Sequence, residues 1–424
     1  MRLTYRMTLR NGIRVVGEEM SSIRSVSLGI WVETGSRYES QNENGISHFL
    51  EHMFFKGTSR HSAKELAHLF DDLGGQVNAF TAKEFTCFYA RVLDEHFSIA
   101  LETLAEMLTD SRFAPEEMEK EKRVVIEEIR MYEDSPDELV MDLIARGVYG
   151  EHPLGYNILG RDENLLRFSR DDLVRYVDRH YRPERMVVSV AGHVPEDVVI
   201  REVERVFGGL AKGADSAAPV LVPPPFHKTV TTEEKDIEQV HICLAAPGYP
   251  AGSRELYPLL LLNNVLGGTQ SSRLFQEIRE ERGMAYSVYS FHTGYRDAGM
   301  FGIYVGTSPE TAEEVLNLVQ QVTVRMWQEP ISRDELEKAK RQVKGALMLG
   351  LESSGSRMSR LAKNEILLRR DVPLEETIAG IDAVTPEDIQ RVAEDVLSHG
   401  FALAAVGPLA EFAFDRAAKV CVSS

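Results

Sequence analysis

The pattern of turns, apolar runs and charge in this chain begins again half-way along, and that repeat limits what it can fold into. Met118-Glu119-Lys120-Glu121-Lys122-Arg123-Val124 returns as Leu336-Glu337-Lys338-Ala339-Lys340-Arg341-Gln342. Each run follows an equivalent turn, Pro115-Glu116-Glu117 or Arg333-Asp334-Glu335. Between the copies, Ala, Gly and Ser give way to Pro219, Pro223, Pro224 and Pro225, the composition of a stiff spacer. The expected division is a first domain over 1–210, a linker over 211–228 and a second domain of the same fold over 229–424. A chain of 424 residues is long enough for two sizeable cores.

Within each copy, strand and helix signals are mixed. Alternating apolar residues flank Asn11-Gly12, a strong hairpin turn, and Ser25–Glu33 alternates as a strand. Gln76–Thr81 and Phe85–Val92 read as a second hairpin, and Met186–Gly192 as a further strand. Amphipathic helices are expected over Ser62–Leu73, His96–Ser111, Glu116–Tyr132, Asp137–Tyr149 and Arg170–His180. Beyond the linker, strands Val240–Ala246, Ala285–Phe291 and Met300–Val305 alternate with helices Leu256–Leu266, Ser271–Arg282 and Pro309–Trp327. The predicted fold class is α+β: two homologous α/β sandwich domains, each a mostly antiparallel sheet with helices packed on it.

The first copy carries something the second lacks. In Gly45-Ile46-Ser47-His48-Phe49-Leu50-Glu51-His52-Met53, a helix would project His48, Glu51 and His52 from one face. Asn44 and Ser47 are the expected N-cap residues and Gly57 the expected stop. Two imidazoles one turn apart can grip one metal ion, and the order HxxEH reverses that of the HExxH zinc helix. A hydrolytic zinc site needs a third protein ligand and an open position. In the second copy His48, Glu51 and His52 fall beside Leu259, Leu262 and Asn263, while Glu121 and Glu128 fall beside Ala339 and Ala346. Residues that folding requires should recur in both copies, so those present once are candidates for chemistry. Glu128 is therefore the expected third ligand, and Glu121 a partner that orients a histidine. The bland alternative is a half-buried helix with packed histidines, facing a helix with a solvated acidic face.

Composition excludes several classes. A net charge of −18 argues against nucleic acid. The start Met1-Arg2-Leu3-Thr4-Tyr5-Arg6 has no apolar signal region, and no run of 18 apolar residues follows, so neither secretion nor a membrane partner is expected. Cys87, Cys243 and Cys421 are far apart and form no CxxC, which fits a reducing, cytoplasmic setting.

With these residues assembled, the chain resembles the pitrilysin/insulinase family of inverted-zincin metallopeptidases, in particular short bacterial members similar to mitochondrial processing peptidase. The resemblance rests on His48-Phe49-Leu50-Glu51-His52, on Glu128 in Val124-Val125-Ile126-Glu127-Glu128, on Gly74–Thr81 and on Arg279–Tyr286. It implies one Zn2+ per chain on His48, His52 and Glu128, with Glu51 as general base in the hydrolysis of extended or unfolded peptides. It further implies that Asn78, Ala79, Phe80 and Thr81 form an edge strand to which a peptide substrate adds. Arg279 and Tyr286 would hold the substrate backbone and stabilise the developing oxyanion. It also implies a homodimer with composite sites, because both elements lie in one short chain. The competing expectation is a non-catalytic subunit of a processing-peptidase-like complex.

Overall fold

The structure, a computed structural model, describes residues 3–213 and 221–409. Residues 214–220 of the expected linker, Pro219 among them, and Cys421 lie outside the described residues. Two compact units emerge, each built on one sheet.

The first sheet has six strands: β1 (Leu3–Thr8), β2 (Arg14–Glu19), β3 (Ser25–Val32), β4 (Gln76–Thr81), β5 (Thr86–Leu93) and β6 (Met186–Gly192). Their order is β1-β2-β6-β3-β5-β4. Only β2 and β6 run parallel; the other neighbours are antiparallel. The second sheet contains β7 (Val230–Glu234), β8 (Val240–Pro247), β9 (Ala285–Gly294), β10 (Gly299–Thr307) and β11 (Ala402–Gly407), ordered β7-β11-β8-β10-β9. It repeats the first sheet strand for strand without β1, including the single parallel pair, β7 with β11. Gly192 and Gly407 end matching strands with φ of 151° and 145°. An added Cβ would meet the backbone of Val26 at 2.5 Å in one sheet and of Val240 at 2.9 Å in the other. The repeat inferred from sequence thus extends to backbone detail.

Helices relevant below are α1 (Ile46–Met53), α2 (Ala63–Asp72), α3 (Phe97–Thr109), α4 (Pro115–Glu133) and α5 (Pro136–Tyr149). Ser62 caps α2 through a capping box with Glu65, as a Ser three residues before a Glu should. The helix expected over Ser271–Arg282 contains a π-helical stretch, Phe275–Glu280.

The units are not the contiguous halves, 1–210 and 229–424, that the repeat suggests. The first comprises 1–130, 156–220 and 350–371; the second comprises 131–155, 221–349 and 372–424. The cause is a reciprocal exchange of one helix. α5 follows α4 in the first copy, yet its apolar side (Val140, Leu143, Ile144, Val148) packs on Cys243, Ala245, Ala402, Ala404 and Val406 of the second sheet. The equivalent helix of the second copy, Ser354–Leu368, sets Met358, Leu361, Ala362 and Ile366 against Val16, Trp31, Cys87, Val187 and Ala191 of the first. Each sheet has a largely apolar face to bury, and hydrophobic attraction does not specify which copy supplies the cover.

Ion pairs fix the helix Ser354–Leu368 to its sheet. Glu365, 1% exposed at its side chain, accepts from Arg6 Nε at 2.6 Å and faces Arg14 at 3.4 Å. Arg14 also pairs with Glu33, whose carboxylate takes both guanidinium nitrogens of Arg369 at 2.7 Å. Removing one member of a buried set leaves the others desolvated and underpaired. Glu365→Met is therefore expected to lower the free energy of unfolding by about 3–5 kcal/mol. An unchanged urea midpoint would refute that anchoring role.

Candidate metal centre and active site

α1 is short and deeply set: Ile46, Phe49, Leu50 and Met53 are buried, and Phe49 stacks on Phe168. Just beyond it, Phe54 is held edge-on by Phe88 and Phe113. Neither Asn44 nor Ser47 caps the helix. The N-cap is Gly45 at φ 100°, and Glu39 supplies the acceptors, taking Gly45 N–H and Ser47 N–H at 2.9 Å each. Asn44 instead donates its side-chain amide to Glu39 at 3.1 Å and to Asn157 O at 2.8 Å. A buried carboxylate at a helix N-terminus satisfies orphan N–H groups and meets the positive end of the dipole. Burial pushes the Glu39 carboxyl upward, with these hydrogen bonds opposing it. The chain turns on after α1, reaching Gly57 at φ 103° four residues past Met53.

α4 brings its carboxylates to α1 two turns apart. His48, His52 and Glu128 each present a ligand atom, all within 4.8 Å of one another. Glu128 Oε2 lies 3.4 Å from His52 Nε2 and 3.7 Å from His48 Nε2. A tetrahedral zinc ion with bonds of about 2.0–2.1 Å spaces its ligands about 3.4 Å apart, so the donor set fits. Glu121 Oε1 meets His52 Nδ1 at 2.8 Å, leaving Nε2 of that ring turned to Glu128. His48 Nδ1 is buried with no hydrogen-bond partner. The expected ligands and the expected orienting carboxylate therefore converge.

Electrostatics favour a cation. Burial and the adjacent His52 push His48 down to about 4, which keeps it a neutral lone-pair donor. Burial also opposes charge on His52, but Glu121 and Glu128 outweigh it and lift that ring to about 9. The carboxyl of Glu128 is held below its usual value by His52, partly offset by burial. The same is true of Glu121 against burial, through His52 and Lys56.

Lys56 joins the site without standing among the sequence candidates. Its Nζ lies 2.6 Å from Glu121 Oε2, so the ammonium holds the second oxygen of the carboxylate that orients His52. The signal was present in the repeat, because the pairing of His52 with Asn263 also sets Lys56 beside Gly267. The repeat argument itself gains support from burial. On α4, Met118, Glu121, Lys122 and Val125 are buried; on the helix Arg333–Gly350, so are Leu336, Ala339, Lys340 and Val343, position for position. Lys122 and Lys340 even donate alike, to Leu166 O at 3.2 Å and Asp382 O at 2.9 Å. The structural lysine recurs and the carboxylate does not.

Glu51 shares the face of His48 and His52 but lies outside the ligand cluster. Burial raises its carboxyl, and the Thr81 hydroxyl, donating to Oε2 at 2.6 Å, opposes that rise. Asn78, Ala79, Phe80 and Thr81 lie on β4, which ends the sheet order and pairs with β5. Arg279 and Tyr286 belong to the second unit. There the Arg279 guanidinium lies 4.7 Å from the Phe275 ring centre and 5.3 Å from that of Tyr286. Tyr286 is 77% exposed.

Comparison with known proteins follows the same lines. Residues 14–162 match the model described as insulinase (peptidase family M16), and residues 167–343 match the one described as peptidase M16 inactive domain. A Bacillus subtilis protein named uncharacterized zinc protease YmxG is 49% identical over 95% of this chain and 98% of its own length. The chain belongs to peptidase family M16. An uncharacterized zinc protease of Streptomyces coelicolor is 38% identical, over 95% of this chain and 89% of that protein. In fold, a protease from Helicobacter pylori superposes with a TM-score of 0.89 at 22% identity, covering 96% of this chain and 99% of its own. A peptidase M16 inactive domain from Pseudomonas fluorescens gives 0.90 at 21%, covering 96% and 98%. The M16 assignment agrees with the fold class and the family resemblance read from the sequence. Among the described residues, no helix is long and apolar enough to cross a membrane.

Gly45 gives a structural test of the site. An added Cβ would meet Leu159 O and Gly160 Cα at 2.8 Å, and φ there is 100°. Gly45→Ala is expected to cost at least about 2 kcal/mol, whereas Gly74→Ala, with open space around it, should cost about 1 kcal/mol. Equal melting temperatures for the two variants would show that the start of α1 is not held as described.

Proposed function

We propose that this chain is a zinc-dependent endopeptidase acting on extended or unfolded peptides, with one zinc ion per chain on His48, His52 and Glu128. The observation that carries the reading is the convergence of two imidazole Nε2 atoms and one carboxylate oxygen beside Glu51. Zinc bound there would polarise the scissile carbonyl and acidify a water molecule. Glu51 takes the proton from the attacking water and passes it to the leaving amine. Its elevated pKa, from burial, suits a group that must both accept and donate.

The position of β4 as the last strand of its sheet supports binding of an extended chain. Backbone pairing at a sheet edge gives affinity without demanding a sequence, and pockets beside it give preference. Arg279 and Tyr286 would hold the substrate backbone and meet the developing oxyanion. The retained ligand set weighs against the alternative of a non-catalytic subunit. The buried, unpaired Cys87 and Cys243 are compatible with a reducing cytoplasm.

Two experiments test this reading. Glu51→Gln should retain near-stoichiometric zinc while kcat falls by about 100- to 10,000-fold, since only the base is lost. His48→Ala, His52→Ala and Glu128→Gln should lose zinc as well. A fully active Glu51→Gln protein would sink the mechanism.

The second experiment concerns partners. We propose a homodimer in which each site takes its metal ligands from one chain and Arg279 and Tyr286 from the other. Glu51→Gln and Tyr286→Phe, each nearly inactive alone, should complement when co-expressed. Random pairing makes about half the dimers mixed, each with one intact site, so roughly a quarter of wild-type activity should return. If mixed dimers form and stay inactive, the site is not shared.

A further inference from the structure

We propose that Thr81 is a positioning residue for Glu51, so that the strand to which substrate adds also sets the general base. The inference rests on the peptidase reading above and assigns Thr81 a task different from contacting substrate.

Strand geometry carries it. Ala82 N–H donates back to Phe85 O at 2.8 Å across the β4–β5 turn. Amides alternate in direction along an antiparallel ladder, so Phe80 and Asn78 also point toward β5. Val77, Ala79 and Thr81 point away from β5, toward the edge that ends the sheet. On that edge Ala79 N–H is taken by the side chain of its neighbour, Asn78 Oδ1, at 2.8 Å. At Thr81 the hydroxyl donates to Glu51 Oε2 at 2.6 Å. The edge therefore runs directly into the base. A substrate strand hydrogen-bonded to this edge is held in register with Glu51 by the same backbone, and one carboxylate oxygen is pinned before substrate arrives.

The second copy shows what the fold does without this device. Thr81 stands opposite Thr86 on the β4–β5 ladder. Carried through the matching ladders, that position in the second sheet is His292, opposite Phe301. The position paired with Glu51 is Leu262. Hydroxyl and carboxylate are both absent where no metal ligands exist, so the strand does not need them to fold.

The test uses full-length, zinc-loaded protein and a quenched fluorescent peptide of unstructured sequence. Thr81→Val removes the hydroxyl at constant shape. A hydrogen bond to a charged acceptor lost in this way should lower kcat by about 10- to 100-fold, with KM and zinc content unchanged. Thr81→Ser should restore most of the rate. In a Glu51→Gln background, Thr81→Val should leave the dissociation constant for the peptide unchanged. If Thr81→Val fails to fold, Thr81→Ala with the same serine rescue serves in its place. A wild-type rate in Thr81→Val overturns the positioning role. So does a raised KM or weakened binding with kcat intact, which would make Thr81 a substrate contact. A zinc-loaded wild type that cleaves no peptide overturns the peptidase reading itself, and the positioning role falls with it.

Discussion

The site depends on one imidazole being held at both ring nitrogens by a single helix. His52 meets Glu121 through Nδ1 and Glu128 through Nε2, and the two carboxylates stand two turns apart on α4. That reach of about 10 Å exists only while α4 is helical throughout and lies at a fixed depth across α1. The depth is set by apolar packing, because Met118, Val125 and Ile129 are buried on the side that carries Glu121. Hydrophobic burial thus places the polar groups, and the polar groups then orient one another. Lys56 closes the chain of contacts, holding Glu121 from the far side.

The same scaffold occurs twice, and the cluster of imidazoles and carboxylates once. Leu336, Ala339, Lys340 and Val343 occupy the buried positions of Met118, Glu121, Lys122 and Val125. A buried lysine that satisfies a carbonyl is kept in both copies, whereas a buried glutamate is tolerated only where an imidazole and an ammonium meet it. An unpaired carboxylate at the place of Ala339 would pay a desolvation penalty with nothing to offset it.

Much of this was legible in the sequence because it is local or periodic. The Asn11-Gly12 hairpin, the helix begun near Ser62 and the helix of His48 and His52 all rest on signals within a few residues. The cluster of His48, His52 and Glu128 was legible for a different reason: the internal repeat acts as its own control. The remaining features are non-local. Asn44 and Ser47 have the composition of caps, but the acceptor is Glu39, brought to the helix start by a loop whose path no periodicity reveals. Thr81 is an ordinary strand residue until folding sets it beside Glu51. The helices Pro136–Tyr149 and Ser354–Leu368 show an apolar face, but periodicity says that a face is buried and not which sheet buries it.

That exchange changes what the linker means. A boundary near residues 211–228 looks like a place where the polypeptide could be divided into two self-sufficient proteins. Severed there, each fragment would keep a sheet stripped of its covering helix and a helix with no sheet to cover. Both would expose apolar surface on the scale of a core, a recipe for aggregation. Neither fragment is a complete folding unit, so synthesis of the first half must wait for the second before its sheet is sealed. The chain is bipartite in ancestry and indivisible in folding.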